Sequence, residues 1–241
     1  MNVLDRATSW WRAHPQWRAA APGLVVMLVG LLGFVALLDS VQEHDDVTVL
    51  DQPVLSWLVA HRSTVMTAVF GAVTLVSGPV VLPVLVAVGC VTWGLVSRSW
   101  WRPGLLAIAM IVSTLVSLAV KSSVARPRPP AVDMVVPGAE TTFSFPSGHT
   151  IGAATLVLTL GYLLLARRMT AARALCWSAA AVVWVGAVGL SRLYLGYHFL
   201  TDVAAAVALA LITVGSLAAL DQGRGRRSRC PQQDSNLQPT D

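Results

Sequence analysis

Cysteine is scarce in this chain of 241 residues, with three in all. Cys90 and Cys176 lie inside apolar runs and Cys230 lies near the C-terminus, so they offer neither a metal-ligand spacing nor a disulfide framework. Lysine is scarcer: of 17 basic residues, 16 are arginine and Lys121 is the one lysine. Charge as a whole is thin, at 12% of residues against 55% hydrophobic, with a mean hydropathy of +0.66. A soluble domain of this length could not hide so much apolar surface, which excludes a water-soluble enzyme or binding module. The net charge of +5 does not mark a nucleic-acid binder, because no basic face with interleaved aromatic residues is present. Internal repeats are absent. No small-residue cleavage site closes the first apolar run, since Ala36-Leu37-Leu38-Asp39 matches one poorly, so that run reads as an uncleaved span.

The apolar runs themselves predict an all-α, polytopic helix bundle of six transmembrane helices with a short interfacial helix. A bilayer crossing needs about 20 apolar residues. Residues 19–38, 103–120, 150–165, 174–190 and 199–220 each supply a span. Residues 63–97 are too many for one crossing and too few for two. Ser77-Gly78-Pro79 and Pro83 mark a break there, so a shallow helix followed by one true crossing is expected. Residues 39–51 form an acidic loop, after which Val47, Leu50, Val54 and Leu58 recur at helical spacing, with Pro53 suited to a first turn. Three segments follow: a cytoplasmic or interfacial lead-in over 1–20, the six-span domain over 21–220, and a disordered cytoplasmic tail over 221–241. With both ends inside, 12 of the 17 basic residues fall on the cytoplasmic side, and eight of the 12 carboxylates fall outside. This is the asymmetry expected of a cell-membrane protein.

Polar motifs interrupt this pattern at three places. Ser191-Arg192 precedes His198 and Asp202, and the last two lie one helical turn apart on one face. A carboxylate holding one ring nitrogen leaves the other free to attack, the arrangement of nucleophilic catalysis. The alternative is a snorkelling arginine beside a helix-capping pair. Pro146-Ser147-Gly148-His149 opens the fourth span, where a helix N-terminus with free N–H groups makes an anion site or simply a cap. Lys121, Arg126 and Arg128 follow the third span, stiffened by Pro127, Pro129 and Pro130, on the side where positive clusters are disfavoured. All three motifs fall on one predicted face. Two histidines, an orienting carboxylate, several cations and a helix N-terminus suit phosphoryl transfer. No metal and no cofactor is expected, because Asp133, Glu140 and Asp202 are the only carboxylates near the motifs and Asp202 is committed to His198.

In these three motifs the chain resembles the type 2 phosphatidic acid phosphatase family, membrane lipid phosphatases related to vanadium haloperoxidases. The signature of that family is matched by Lys121, Arg128 and Pro129, then by Pro146, Ser147, Gly148 and His149, then by Ser191, Arg192, His198 and Asp202. The resemblance covers roughly residues 45–220. Phe199-Leu200 departs between signature positions, where an aromatic-proline pair is common. The resemblance implies six spans with the active site at the extracytoplasmic surface. It implies that His198 attacks phosphorus to give a phosphohistidine, oriented by Asp202, while His149 protonates the leaving oxygen and then activates water. Lys121, Arg128, Arg192, Ser147 and the backbone of Gly148 are then expected to hold the phosphoryl oxygens. The implied substrate is a lipid phosphate or polyprenyl diphosphate, with membrane lipids as surroundings and no nucleic acid. A lipid-diphosphate phosphotransferase shares every motif. A catalytically silent lipid-binding or transport protein is disfavoured by the presence of both histidines and Asp202.

Overall fold

A computed structural model of the protein describes residues 15–43, 45–136, 138, 140–165 and 170–227. Among the described residues there are eight α-helices and no strand. In chain order they are α1 (Pro15–Glu43), α2 (Asp51–Ala60), α3 (Thr64–Val76), α4 (Val81–Ser97), α5 (Trp101–Val124), α6 (Gly148–Leu165), α7 (Ala171–Tyr194) and α8 (Leu200–Arg227). Five of them, α1 and α5 to α8, are long and apolar enough to cross a membrane, and α3 with α4, bent by 49°, counts as a sixth if the pair is one span. At 1.5 Å per residue the 24 residues of α5 measure about 36 Å, enough for a hydrocarbon core of about 30 Å. The protein is a multi-pass membrane protein, and the expected six-span bundle holds.

The bend falls where the prolines put it. α3 starts under a cap, with Ser63 Oγ accepting the Met66 N–H at 3.3 Å. It ends at Val76, and Pro79 and Pro83 restart the chain as α4. α3 stays at one end of the bundle: the Ser63 N–H donates to Tyr194 Oη at 2.7 Å, and Thr74 Oγ1 lies 3.1 Å from Ser191 Oγ.

Helix ends reach further than the apolar runs suggested. α1 continues through Asp39 and Glu43, which were expected in the acidic loop, because Asp-Ser-Val-Gln-Glu holds no glycine or proline to stop it. The turn comes later, where Ser40 Oγ donates to the Asp45 carbonyl at 2.6 Å. α7 likewise carries Ser191 and Arg192 on its last turns, and α8 runs on through Arg227. Of the expected tail, residues 228–241 lie outside the described residues, as do residues 1–14 of the lead-in.

The bundle is centred on α8, which packs against α1 on one side and α6 on the other. A Cβ on Gly23 would sit 2.7 Å from the Gly215 carbonyl oxygen, and one on Gly30 would sit 2.7 Å from that of Ala208. The backbones of α1 and α8 therefore touch along a small-residue seam, the close approach that membrane helices use where no hydrophobic force drives association. On the other side Ala206 and Ala210 of α8 pack with Ile151 and Ala154 of α6, all buried. The α6–α8 contact holds the start of α8 next to the start of α6, which brings His198 and His149 to the same end.

Candidate active site

The turn between α7 and α8 is shaped for one purpose, to deliver His198. Gly196 takes a φ of +79°, and a Cβ there would lie 2.0 Å from the Asp133 carbonyl oxygen, so the turn requires glycine. Two residues on, His198 is 1% exposed. Asp202 is the third residue of α8, and its Oδ2 reaches back to the Phe199 N–H at 2.8 Å, closing the helix start.

The ring of His198 is fixed at both nitrogens. Nδ1 stands 3.3 Å from Asp202 Oδ2 and 3.3 Å from Ser144 Oγ. Nε2 stands 3.2 Å from Arg128 Nη1. A guanidinium can only donate, so Nε2 is the acceptor and the proton sits on Nδ1, shared with Asp202. Burial pushes the His198 pKa down to about 4; Asp202 pulls it upward and the positive charges of Arg192 and Arg128 push it down further. The ring is therefore neutral at ordinary pH, with a lone pair at Nε2. Asp202 has no exposure and is saturated with donors, as a buried carboxylate requires. Arg126 Nη1 reaches Oδ1 at 2.7 Å, and Ser144 Oγ donates a short hydrogen bond to Oδ2.

Facing this ring are the remaining predicted groups. Arg128 donates through Nε to the Thr142 carbonyl at 2.6 Å and through Nη1 to that of Tyr197 at 2.8 Å. Arg192 is 1% exposed, lies over the Tyr197 ring at 4.7 Å and donates to Thr74 Oγ1 at 3.1 Å, while its buried Nε has no partner among the described residues. Glu140 bridges the two arginines, with Oε2 at 2.7 Å from Arg128 Nη2 and Oε1 against Arg192 Nη2. Burial alone raises the Glu140 carboxyl, but the guanidiniums of Arg192 and Arg128 outweigh it and hold it below the usual carboxylate range. Lys121 spends two of its three protons on the carbonyls of Phe143 and Ser144, at 2.7 and 3.3 Å. Ser147 is fully buried, and its Oγ caps α6 by accepting from the Thr150 N–H at 3.5 Å and from Thr150 Oγ1 at 3.0 Å. Gly148 and His149, as the first residues of α6, keep N–H groups with no intrahelical acceptor. His149 has no hydrogen-bond partner among the described residues, and its Nε2 lies 3.7 Å from where a Cβ on Gly78 would be.

Lys121, Arg128, Glu140, Gly148, His149 and His198 line one cavity of about 310 Å³. Ser147 and Arg192, both buried, are not among its lining residues. Below the polar groups the lining turns apolar, with Leu82, Pro83, Met110 and Leu118, and a second cavity of about 380 Å³ continues between α4 and α5 past Pro83, Met110 and Thr114. Among the described residues no three histidines, cysteines or carboxylates gather closely enough to hold a metal ion.

A family model of the PAP2 superfamily matches residues 102–226, just over half of the chain. The chain belongs to the PAP2 superfamily. It is similar to phosphatidylglycerophosphatase B of Bacillus subtilis, 28% identical over 187 residues that span 76% of this chain and 89% of that protein. Its structure resembles the crystal structure of a transmembrane PAP2-type phosphatidylglycerolphosphate phosphatase from Bacillus subtilis. That match has a TM-score of 0.71 at 25% identity, over 81% of this chain and 95% of the other. LpxE of Aquifex aeolicus shares the fold, with a TM-score of 0.52 at 19% identity over 70% of this chain and 94% of the other. The protein is an enzyme, a membrane phosphatase of PAP2 type.

Several residues of this PAP2 site escape the motif reading. Ser144 and Arg126 lie beside signature positions and share Asp202 with His198. Arg126 was visible as a misplaced cation but not as the partner of Asp202. Glu140 reads from the sequence as a nearby carboxylate without a role. Asp51 and Thr201, which bind Arg126 at 2.7 Å each, carried no local signal that could have found them.

Proposed function

We propose that the protein is a metal-independent lipid phosphatase that works through a phosphohistidine on His198. The observation that carries the reading is the lone pair of His198 Nε2 facing Arg128 at 3.2 Å, with the Nδ1 proton held by Asp202. Nε2 attacks phosphorus, the bond from phosphorus to the leaving oxygen breaks, and His149 gives that oxygen its proton. His149 then takes a proton from water, whose oxygen attacks phosphorus and releases phosphate from Nε2. Arg128, Arg192, Lys121 and the N–H of Gly148 take the charge on the phosphoryl oxygens, with Ser147 holding the helix start in place. A free His149 on the same cavity suits a group that must first donate and later accept.

The substrate class follows from the cavity, polar at one end and apolar below it. A phosphate on a lipid or polyprenyl tail fits both ends, with the tail between α4 and α5. The two Bacillus subtilis matches are named for phosphatidylglycerophosphate, which supports a lipid phosphate here. The asymmetry of basic residues supports a site on the extracytoplasmic face of the cell membrane. Purified protein assayed against phosphatidate, phosphatidylglycerophosphate and undecaprenyl diphosphate tests the activity, and phosphate release from none of them overturns it. A cysteine placed in residues 131–142 should be labelled by an impermeant thiol reagent in intact cells, and Cys230 should not. The reverse pattern would put the site in the cytoplasm.

A further inference from the structure

Behind Asp202 stands a carboxylate from a different part of the molecule. Asp51, the first residue of α2, is 4% exposed. Its Oδ1 accepts the Thr201 N–H at 2.9 Å, and its Oδ2 accepts the Thr201 hydroxyl at 2.6 Å and Arg126 Nη2 at 2.7 Å. The other nitrogen of the same guanidinium, Nη1, holds Asp202 Oδ1 at 2.7 Å. One arginine thus serves two buried carboxylates, and the group of three keeps a net charge of −1. We propose that Asp51 is a positioning residue for His198, acting through Arg126 and Asp202. The inference rests on His198 being the nucleophile.

Two effects follow from that placement. The first is geometric: Asp51 pins the backbone of Thr201, next to Asp202 in the first turn of α8, so the carboxylate that orients His198 cannot rotate with its helix end. α2 is itself anchored at its far end, where Arg62 donates to the carbonyls of Tyr194 at 2.8 Å and Asp133 at 2.6 Å. The second is electrostatic. When Nε2 bonds phosphorus the ring becomes cationic, and its Nδ1 proton leans on Asp202. With Asp51 present, Arg126 is shared and Asp202 keeps most of its charge for the ring. Without Asp51, Arg126 neutralises Asp202 alone. The other charged or titratable groups around His198 are Lys121 of α5, Arg128 and Glu140 from the segment between α5 and α6, His149 of α6 and Arg192 of α7. None of these changes when Asp51 is substituted.

The test is a ¹⁵N-histidine NMR titration of the full-length protein in detergent, with the His198 signal assigned by its loss in His198→Gln. Asp51→Asn makes the surroundings less negative, so His198 should titrate lower, by about half a unit to one unit. Turnover should fall on the order of 10-fold with KM nearly unchanged, since the loss appears in the transition state. Arg126→Gln leaves both carboxylates and should move the titration upward. Adding Asp51→Asn to Arg126→Gln should bring it back down. The double variant holds no half-paired guanidinium, so it reads the Asp51 charge even where the single variant fails to fold. A folded Asp51→Asn protein with unchanged His198 titration and turnover overturns the proposal, and so does a double variant that titrates like Arg126→Gln. Wild-type protein that releases no phosphate from any lipid would instead strike at the proposed function, and the titration would still judge the role of Asp51.

Discussion

His198 and His149 line the same cavity, and the protein treats them in opposite ways. His198 is clamped, with Asp202 and Ser144 at one nitrogen and Arg128 at the other. His149 is tethered only through its backbone at the start of α6, opposite the glycine of the α3–α4 break. The clamped ring suits one task in one orientation. The free ring suits a proton carrier that must meet a leaving oxygen and later a water. On the proposed mechanism the difference teaches that rigidity follows role: the group that would make the covalent bond is held, and the group that would move protons is left room.

The sharpest way to break this comparison is to remove each ring in turn. His198→Ala should abolish turnover and leave no phosphoenzyme. His149→Ala should lose about 10²–10⁴-fold with lipid substrates. With an aryl phosphate, whose leaving group needs no acid, His149→Ala should load His198 and then stall. Labelled protein surviving a mild alkaline quench in His149→Ala, and none in His198→Ala, supports the assignment. The reverse pattern would mean that nucleophile and acid have been exchanged.

A smaller effect separates charge from scaffolding at Lys121. Its bonds to the carbonyls of Phe143 and Ser144 hold the segment that carries Ser144 to His198. Lys121→Ala should therefore cost on the order of 10²-fold in kcat, and Lys121→Arg should recover only part of it, because a planar fork replaces a point charge poorly. Full activity in the alanine variant would reduce Lys121 to an end-of-span anchor. At Glu140 the expected sign is different. Glu140→Gln removes the negative charge from between Arg128 and Arg192, so vanadate should bind about 3- to 10-fold more tightly, read as its inhibition constant. Weaker vanadate binding would show that the carboxylate organises the arginines rather than occupying them. The smallest effect is expected at Gly78→Ala. Its Cβ would stand 3.1 Å from the Leu75 carbonyl oxygen, 3.2 Å from that of Thr74 and 3.7 Å from His149 Nε2, so the break must give slightly beside His149. A loss of about 2- to 5-fold in kcat with no change in aryl phosphate loading would place the disturbance on the proton carrier.

Local spacing explains which parts of the site could be read in advance. The four-residue interval from His198 to Asp202 brings ring and carboxylate together because α8 starts between them. The prolines at 79 and 83 marked the bend for the same reason, since their effect on the backbone is local. Asp51 and Glu140 were not legible. Asp51 meets Arg126 across 75 residues and Glu140 meets Arg192 across 52, and no short-range pattern encodes such pairings. The helix ends at Glu43, Tyr194 and Arg227 also ran past the apolar stretches, because hydropathy reports what lies in the bilayer while helices continue until something stops them.

The carboxylate of Glu140, lying across Arg128 and Arg192, has a bearing on how the enzyme lives with its own product. A tethered group competes for its site at an effective concentration that can reach the millimolar range. Inorganic phosphate, with no tail to anchor it, must displace that carboxylate unaided. A lipid phosphate brings the burial of its tail to the same contest. If Arg128 and Arg192 hold the phosphoryl group as proposed, the same two arginines therefore favour the substrate while letting free phosphate go.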